Sequence, residues 1–116
     1  MRNLVRSLRA LSDEPRVRIL KVLLQRECCV CEVMQALDIS QSRASRNLRV
    51  LEDAGFVKSR RDRAWIVYSI NEQTRNSCAA SLIEILRGSL VDEVVMSQDK
   101  ERLSHATRVG PRAIPK

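Results

Sequence analysis

Between residues 30 and 54 the chain carries two apolar-periodic segments separated by only three residues, and that spacing limits the fold more than any other feature. Val30, Val33 and Leu37 recur on one side of a short predicted helix, Asp38-Ile39-Ser40 reads as a tight turn, and Ala44, Leu48 and Leu51 form the inward stripe of a second helix over Gln41 to Ala54. Two short helices joined by a three-residue turn fit the helix-turn-helix pattern. Gly55 supplies the C-terminal cap that ends the second.

The flanking segments extend this core. Leu4, Val5, Leu8 and Leu11 are the stripe of a first helix, and Val17, Leu20, Leu23 and Leu24 that of a second, which Ser12 or Asp13 can cap and Pro15 can open. Phe56 to Arg61 and Ala64 to Ile70 read as two extended segments separated by Asp62-Arg63, a hairpin or wing that Trp65 and Tyr68 anchor to the helices. Asn71 is the expected cap of a fifth helix bearing Cys78, Leu82, Ile85 and Leu86, which Gly88 ends. A sixth helix, beginning at Ser89 or Asp92, is expected to bury Leu90, Val91, Val94 and Val95. The class is therefore mainly α with a β-hairpin. Residues 1–96 are expected to form one DNA-binding and dimerisation domain. Residues 97–116, poor in apolar side chains and holding Gly110, Pro111, Pro115 and the lone His105, are expected to be a flexible tail.

Charge names the class of partner. Twenty-one basic against 14 acidic residues leave a net charge of +7, which suits an anionic polymer or an anionic membrane surface. No apolar run of about 18 residues is present to span a bilayer. Met1 to Leu11 has arginines at 2, 6 and 9 and no continuous apolar stretch, which argues against a secretory signal and for a cytoplasmic protein with reduced thiols. Opposite the apolar stripe of the second turn-linked helix stand Ser42, Arg43, Ser45, Arg46 and Arg49, with Gln41 at the helix start and Asn47, a type that can read adenine, counted with them as candidates to reach base edges and phosphates in the major groove. Lys58, Arg60, Arg61 and Arg63 place positive charge on the hairpin, where a duplex backbone or minor groove would lie. Double-stranded DNA is the expected partner.

Three of the four cysteines stand together as Cys28-Cys29-Val30-Cys31 at the entrance of the helix-turn-helix. Thiolates favour soft or borderline ions, among them Zn(II), Cu(I), Cd(II) and trivalent arsenic. On an ideal helix Cys28 and Cys31 lie about 60° apart and Cys29 and Cys31 about 160° apart, so one ion reaches all three only if the segment is non-helical before Val30 or unwinds on binding. Arg26 and the helix N-terminus are expected to lower the thiol pKa values. Trivalent arsenic and antimony take three sulfurs, whereas structural zinc prefers four ligands. Cys28, Cys29 and Cys31 are thus the candidate ligands of As(III) or Sb(III), with Cd, Pb or Zn, or thiol oxidation or persulfidation, as alternatives. Cys78, alone on an apolar stripe, reads as core. An enzyme or metal carrier is disfavoured, because there is no Cys-x-x-Cys in a βαβ context, no base near the thiols and no glycine-rich phosphate loop.

The stretches Leu11-Ser12-Asp13-Glu14-Pro15-Arg16-Val17-Arg18-Ile19-Leu20, Glu27-Cys28-Cys29-Val30-Cys31-Glu32, Ile39-Ser40-Gln41-Ser42-Arg43-Ala44-Ser45-Arg46-Asn47-Leu48 and Leu51-Glu52-Asp53-Ala54-Gly55 resemble the ArsR/SmtB metalloregulatory repressors over roughly residues 4 to 87. The resemblance implies a homodimeric winged helix-turn-helix that holds its operator when metal-free and leaves it when the inducer binds, with dimer contacts from the first and last helices. Cys-Val-Cys-Glu is similar to the arsenic-sensing branch, whose motif has cysteines matching Cys29 and Cys31 and a third matching Met34. Met34 departs from that pattern, so the third ligand must come from Cys28 or Cys78. Asn47 departs where the family usually carries histidine. The zinc site that some relatives build on the last helix needs acidic and histidine ligands; the region offers Glu84 and no histidine, with His105 placed in the tail, so that site is expected to be absent.

Overall fold

The computed structural model describes residues 1–88 and 93–109, with Glu93 described by its backbone alone. Among the described residues, six helices and three short strands follow in the order α1 (Arg2–Leu11), α2 (Glu14–Gln25), β1 (Cys28–Cys29), α3 (Val30–Leu37), α4 (Gln41–Asp53), β2 (Val57–Asp62), β3 (Trp65–Ile70), α5 (Ser77–Arg87) and α6 (Glu93–His105).

Local chemistry sets the boundaries. The Asp13 carboxylate accepts the Arg16 N–H at 3.2 Å at the start of α2, where Pro15 lies in the first turn. Asp38 takes the left-handed conformation that ends α3 (φ 56°), and the Ser40 hydroxyl accepts the Arg43 N–H at 3.3 Å to open α4. Gly55 has φ +88°, and a Cβ there would stand 2.8 Å from Thr74 Oγ1 and 3.3 Å from Asn76 Cβ, so both the backbone hand and the space require glycine. The cap of α5 is Asn76 rather than the expected Asn71. Its side-chain oxygen accepts the Cys78 and Ala79 N–H groups, while Nδ2 donates to Ser7 Oγ and the Ala54 carbonyl, both at 2.9 Å. One amide thus fastens α5 to α1 and to the end of α4.

The core gathers Ile19, Leu20, Val33, Leu48, Leu51 and Phe56, all fully buried, between the helices and one face of the sheet. Ile19 and Val22 join Leu20 and Leu23 on the buried face of α2, while the expected Val17 and Leu24 are only partly covered. The stripe of α1 is left open, with Leu4, Val5 and Leu8 all more than two-fifths exposed.

The sheet is antiparallel with order β1-β3-β2. The expected hairpin is its β2–β3 pair, from Val57↔Ile70 to Asp62↔Trp65, turning at Arg63 in the left-handed region (φ 58°). The third strand was not expected. Cys28 pairs with Tyr68 and Cys29 with Val67, so the cysteine segment is the outer strand beside the wing.

The tail boundary also needs correction. α6 runs through residue 97 without a break and packs on α2 and α3, with Asp99 and Leu103 turned inward. Val94, expected to be buried, is exposed, and Leu90 and Val91 lie outside the described residues. Asp99 holds α6 in place by accepting two hydrogen bonds from Arg18 (2.8 and 2.7 Å) and one from Arg102 (2.8 Å). Residues 106–109 continue across α3 to the hairpin, and 110–116 lie outside the described residues.

Candidate nucleic-acid interface and thiol site

Helical spacing divides α4 into two faces. Ala44, Leu48 and Leu51 are fully buried, and Gln41, Ser42, Arg43, Arg46 and Arg49 are exposed, with Ser45 half-buried beside them. Asn47 does not belong to this surface. It is 7% exposed, and its Oδ1 accepts a hydrogen bond from Arg16 Nη1 at 3.1 Å, which ties α4 to the start of α2. Placing Asn47 among the base-contacting residues is therefore corrected, because its side chain is buried in the contact between α4 and α2 rather than on the exposed basic face. Beside α4, the hairpin exposes Lys58, Arg60, Arg61 and Arg63. Arg60 is engaged by Glu27 at 2.6 Å, just ahead of the cysteines, and Arg61 Nε donates to the Arg63 carbonyl at 3.3 Å. Two adjoining basic ridges result, one helical and one extended.

The cysteine segment is non-helical before Val30, the first of the two arrangements anticipated above. Cys28 and Cys29 are consecutive strand residues, so their side chains leave opposite faces. Cys28 enters the hydrophobic core, where burial pushes its thiol up to about 12 against the opposing influence of Arg26, and its Sγ donates to the Arg26 carbonyl at 3.5 Å. The expected lowering does not hold for Cys28, because loss of water outweighs an arginine already paired with Glu32. Cys29 caps α3 with extended backbone (φ −77°, ψ 169°), which swings its sulfur over the first turn toward Cys31. The two are joined as a disulfide, with Cα atoms 5.4 Å apart, where reduced thiols were expected.

Two of the three candidate thiols are therefore brought together and the third is turned away. Cys78 is half-buried on α5, and among the described residues no three His, Cys, Asp or Glu side chains are grouped to hold a metal ion. Once that disulfide is reduced, the residues present fit a two-sulfur capture but not the three-thiolate shell of As(III) or Sb(III).

Glu32 belongs to this site as a capping acid. Its Oε1 accepts the Cys29 N–H at 3.0 Å, its Oε2 accepts Arg26 Nη1 at 2.7 Å, and Arg108 Nε stands 3.7 Å from Oε1. The signal was present: an acid three residues after an N-cap is the capping-box spacing, with cysteine in place of serine. The part played by Arg108 carried no local signal.

A basic recognition helix, a tight turn before it and a basic hairpin after it define a winged helix-turn-helix of the DNA-binding regulator class. The chain belongs to the arsR family of bacterial regulatory proteins, whose model matches residues 13–59. A Bacillus subtilis (strain 168) protein named as an arsenical resistance operon repressor is 30% identical over 77 residues, covering 66% of this chain and 73% of that protein. A Staphylococcus aureus cadmium resistance transcriptional regulatory protein CadC homolog is 39% identical over 66 residues, covering 56% of this chain and 54%, about half, of the relative's own length. The solution structure of the homodimeric winged helix-turn-helix DNA-binding domain Mb0332 from Mycobacterium bovis is similar with a TM-score of 0.62 at 26% identity, covering 92% of this chain and 87% of that one. No helix among the described residues is long and apolar enough to cross a membrane.

Proposed function

We propose that this chain is a cytoplasmic transcriptional repressor that binds operator DNA as a homodimer and releases it when a thiophilic effector, As(III) or Sb(III), is captured at the cysteine segment. Gln41, Ser42, Arg43, Ser45, Arg46 and Arg49 read the major groove, while Lys58, Arg60, Arg61 and Arg63 hold the backbone. The second copy covers the open stripe Leu4, Val5 and Leu8 together with exposed Ile85 on α5. Relatives named for arsenical and cadmium resistance support a thiophilic effector.

One observation carries this reading: the cysteine segment is at once the outer strand on β3 and the cap of α3. Chemistry there bears on the wing and on the helix-turn-helix together, which gives an effector a differential interaction with two states. A coupling of about 3 kcal/mol reduces operator affinity about 150-fold. Cys29 and Cys31, once reduced, are the capturing pair, and a third sulfur from Cys28 or Cys78 would require a movement away from this arrangement.

The Cys29–Cys31 disulfide favours a second reading, in which an oxidant such as a peroxide takes two electrons and two protons from the pair. The test is operator binding by the reduced chain during titration with arsenite, antimonite, cadmium, zinc and, separately, peroxide. Release at stoichiometric arsenite or antimonite supports the first reading, and its persistence in Cys28→Ser with loss in Cys78→Ser would make Cys78 the third ligand. Release by peroxide alone selects the second reading, and absence of operator binding refutes both.

A further inference from the structure

Cys29 and Cys31 are buried, at 1% and 3% exposure, at the start of α3. The C-terminal segment beyond α6 is tied to the residues that flank both, Gln35 and Glu32. Gln35 Nε2 donates to the Cys31 carbonyl (3.0 Å) and to the Thr107 carbonyl (2.7 Å), while its Oε1 accepts the Thr107 N–H at 3.1 Å. One residue on, Arg108 faces Glu32, the side chain that caps Cys29. Arg108 then reaches the hairpin, bonding Asp62 at 2.8 Å and lying over the Trp65 ring at 5.7 Å, and the Trp65 indole N–H donates to the Val109 carbonyl at 2.9 Å.

We propose that residues 106–109 are a latch over the Cys29–Cys31 pair, closed on the hairpin by Arg108 and Trp65, and that a thiol-reactive effector reaches the pair only when the latch opens. This deepens the reading of the cysteines as an effector site and rests on it for its biological meaning, but the latch is testable without any effector response. Its closure on the hairpin is light: one ion pair whose two partners are about one-third exposed, one cation–π contact and one indole hydrogen bond, while two Gln35–Thr107 hydrogen bonds and the Arg108–Glu32 pair hold it to α3. Contacts of that kind open locally without global unfolding. The latch also rests on the hairpin that carries Arg60, Arg61 and Arg63, so a hairpin seated on DNA and a hairpin holding the latch share one rigid element.

The test uses the full chain, reduced and freed of reductant, with iodoacetamide as probe and mass mapping of each cysteine over time. Cys78 on α5 is the internal reference and Cys28 reports opening of the core. Arg108→Ala and, separately, Trp65→Phe should speed alkylation of Cys29 and Cys31 relative to Cys78, by about tenfold for Arg108→Ala, with Cys28 remaining slow. Unchanged rates at Cys29 and Cys31 in both variants overturn the latch. Equal acceleration at Cys28 overturns it too, because the variant would then have loosened the fold rather than the cover. Arsenite titration of the same variants separates the two claims: a chain deaf to arsenite whose pair is nonetheless unmasked by Arg108→Ala keeps the latch and loses the effector reading.

Discussion

Replacing Asp99 by alanine tests whether α6 is docked, and the structure sets the size of the effect. The carboxylate is 1% exposed and receives a bidentate pair from Arg18, with a third bond from Arg102, and the Asp99 bond is the main reason that the Arg18 pKa rises. A hydrogen bond to a charged group contributes about 1.5 to 3 kcal/mol, but the Arg102 side chain is 39% exposed and its share is largely screened. Removal leaves Arg18 with the Leu37 carbonyl at 3.4 Å, so the net loss is about 2 to 3 kcal/mol. That loss falls on the opening of α6 and corresponds to amide exchange about 30- to 150-fold faster across residues 95–105. Asp99→Asn, which keeps the shape and drops the charge, should fall between. Measured by hydrogen exchange with mass readout, α6 amides that are unprotected in the parent chain, or unchanged by Asp99→Ala, would refute the argument and restore a free tail.

Other outcomes follow from single residues. Asn47→Ala should cost about 1 kcal/mol in urea unfolding by removing one hydrogen bond from an Arg16 that keeps the Ala10 and Arg9 carbonyls, and should leave the base preference of the protein unaltered in a binding-site selection. Arg46→Ala should weaken cognate operator binding far more than binding to random DNA, and equal loss on both would remove it from the base readers. Cys28 is held protonated when folded, with its pKa raised from about 9 to about 12, whereas the unfolded chain ionises from about 9 upward. Its contribution is therefore complete below pH 9 and is lost as pH climbs toward 12, at no more than about 1.4 kcal/mol per pH unit. Cys28→Ala should flatten the alkaline slope of stability in the reduced chain, and an identical slope would show that burial does not govern this thiol.

The parts legible in the sequence are those with a repeating physical signal. The tight turn, the stripe of α4 and the hairpin each declare themselves by period, and the helix bounds at Val30, Leu37 and Gln41 agree with the structure. What escaped notice lacks period. A two-residue strand has no alternation to read, so Cys28–Cys29 looked like the lead-in to a helix. Asn47 sits at a helical position compatible with either face, and only the approach of Arg16 from α2 settles which way it is used. The docking of α6 depends on Asp99, a charged residue that composition assigns to solvent and that two arginines distant in sequence or a turn away make buriable. Arg108 meets Glu32, Asp62 and Trp65 from far along the chain, and such a contact leaves no trace in local pattern.

The strand β1 also decides what a third thiolate would require. Because neighbouring strand residues point to opposite faces, Cys28 cannot join Cys29 and Cys31 while both cysteines remain paired to Tyr68 and Val67. An effector held by the pair alone leaves the sheet intact, whereas one that recruits Cys28 must draw it from the core and free β1 from β3. Amide exchange separates these outcomes directly. Retained protection across residues 66–69 in the arsenite-treated reduced chain would exclude Cys28 from the ligand set, and protection lost there, but kept in α5, would identify departure of β1 as the movement that reaches the wing. Cys28→Ser sharpens the comparison, since it removes the thiolate while leaving the backbone pairing available. If arsenite still exposes residues 66–69 in that variant, recruitment of Cys28 is not what opens the sheet.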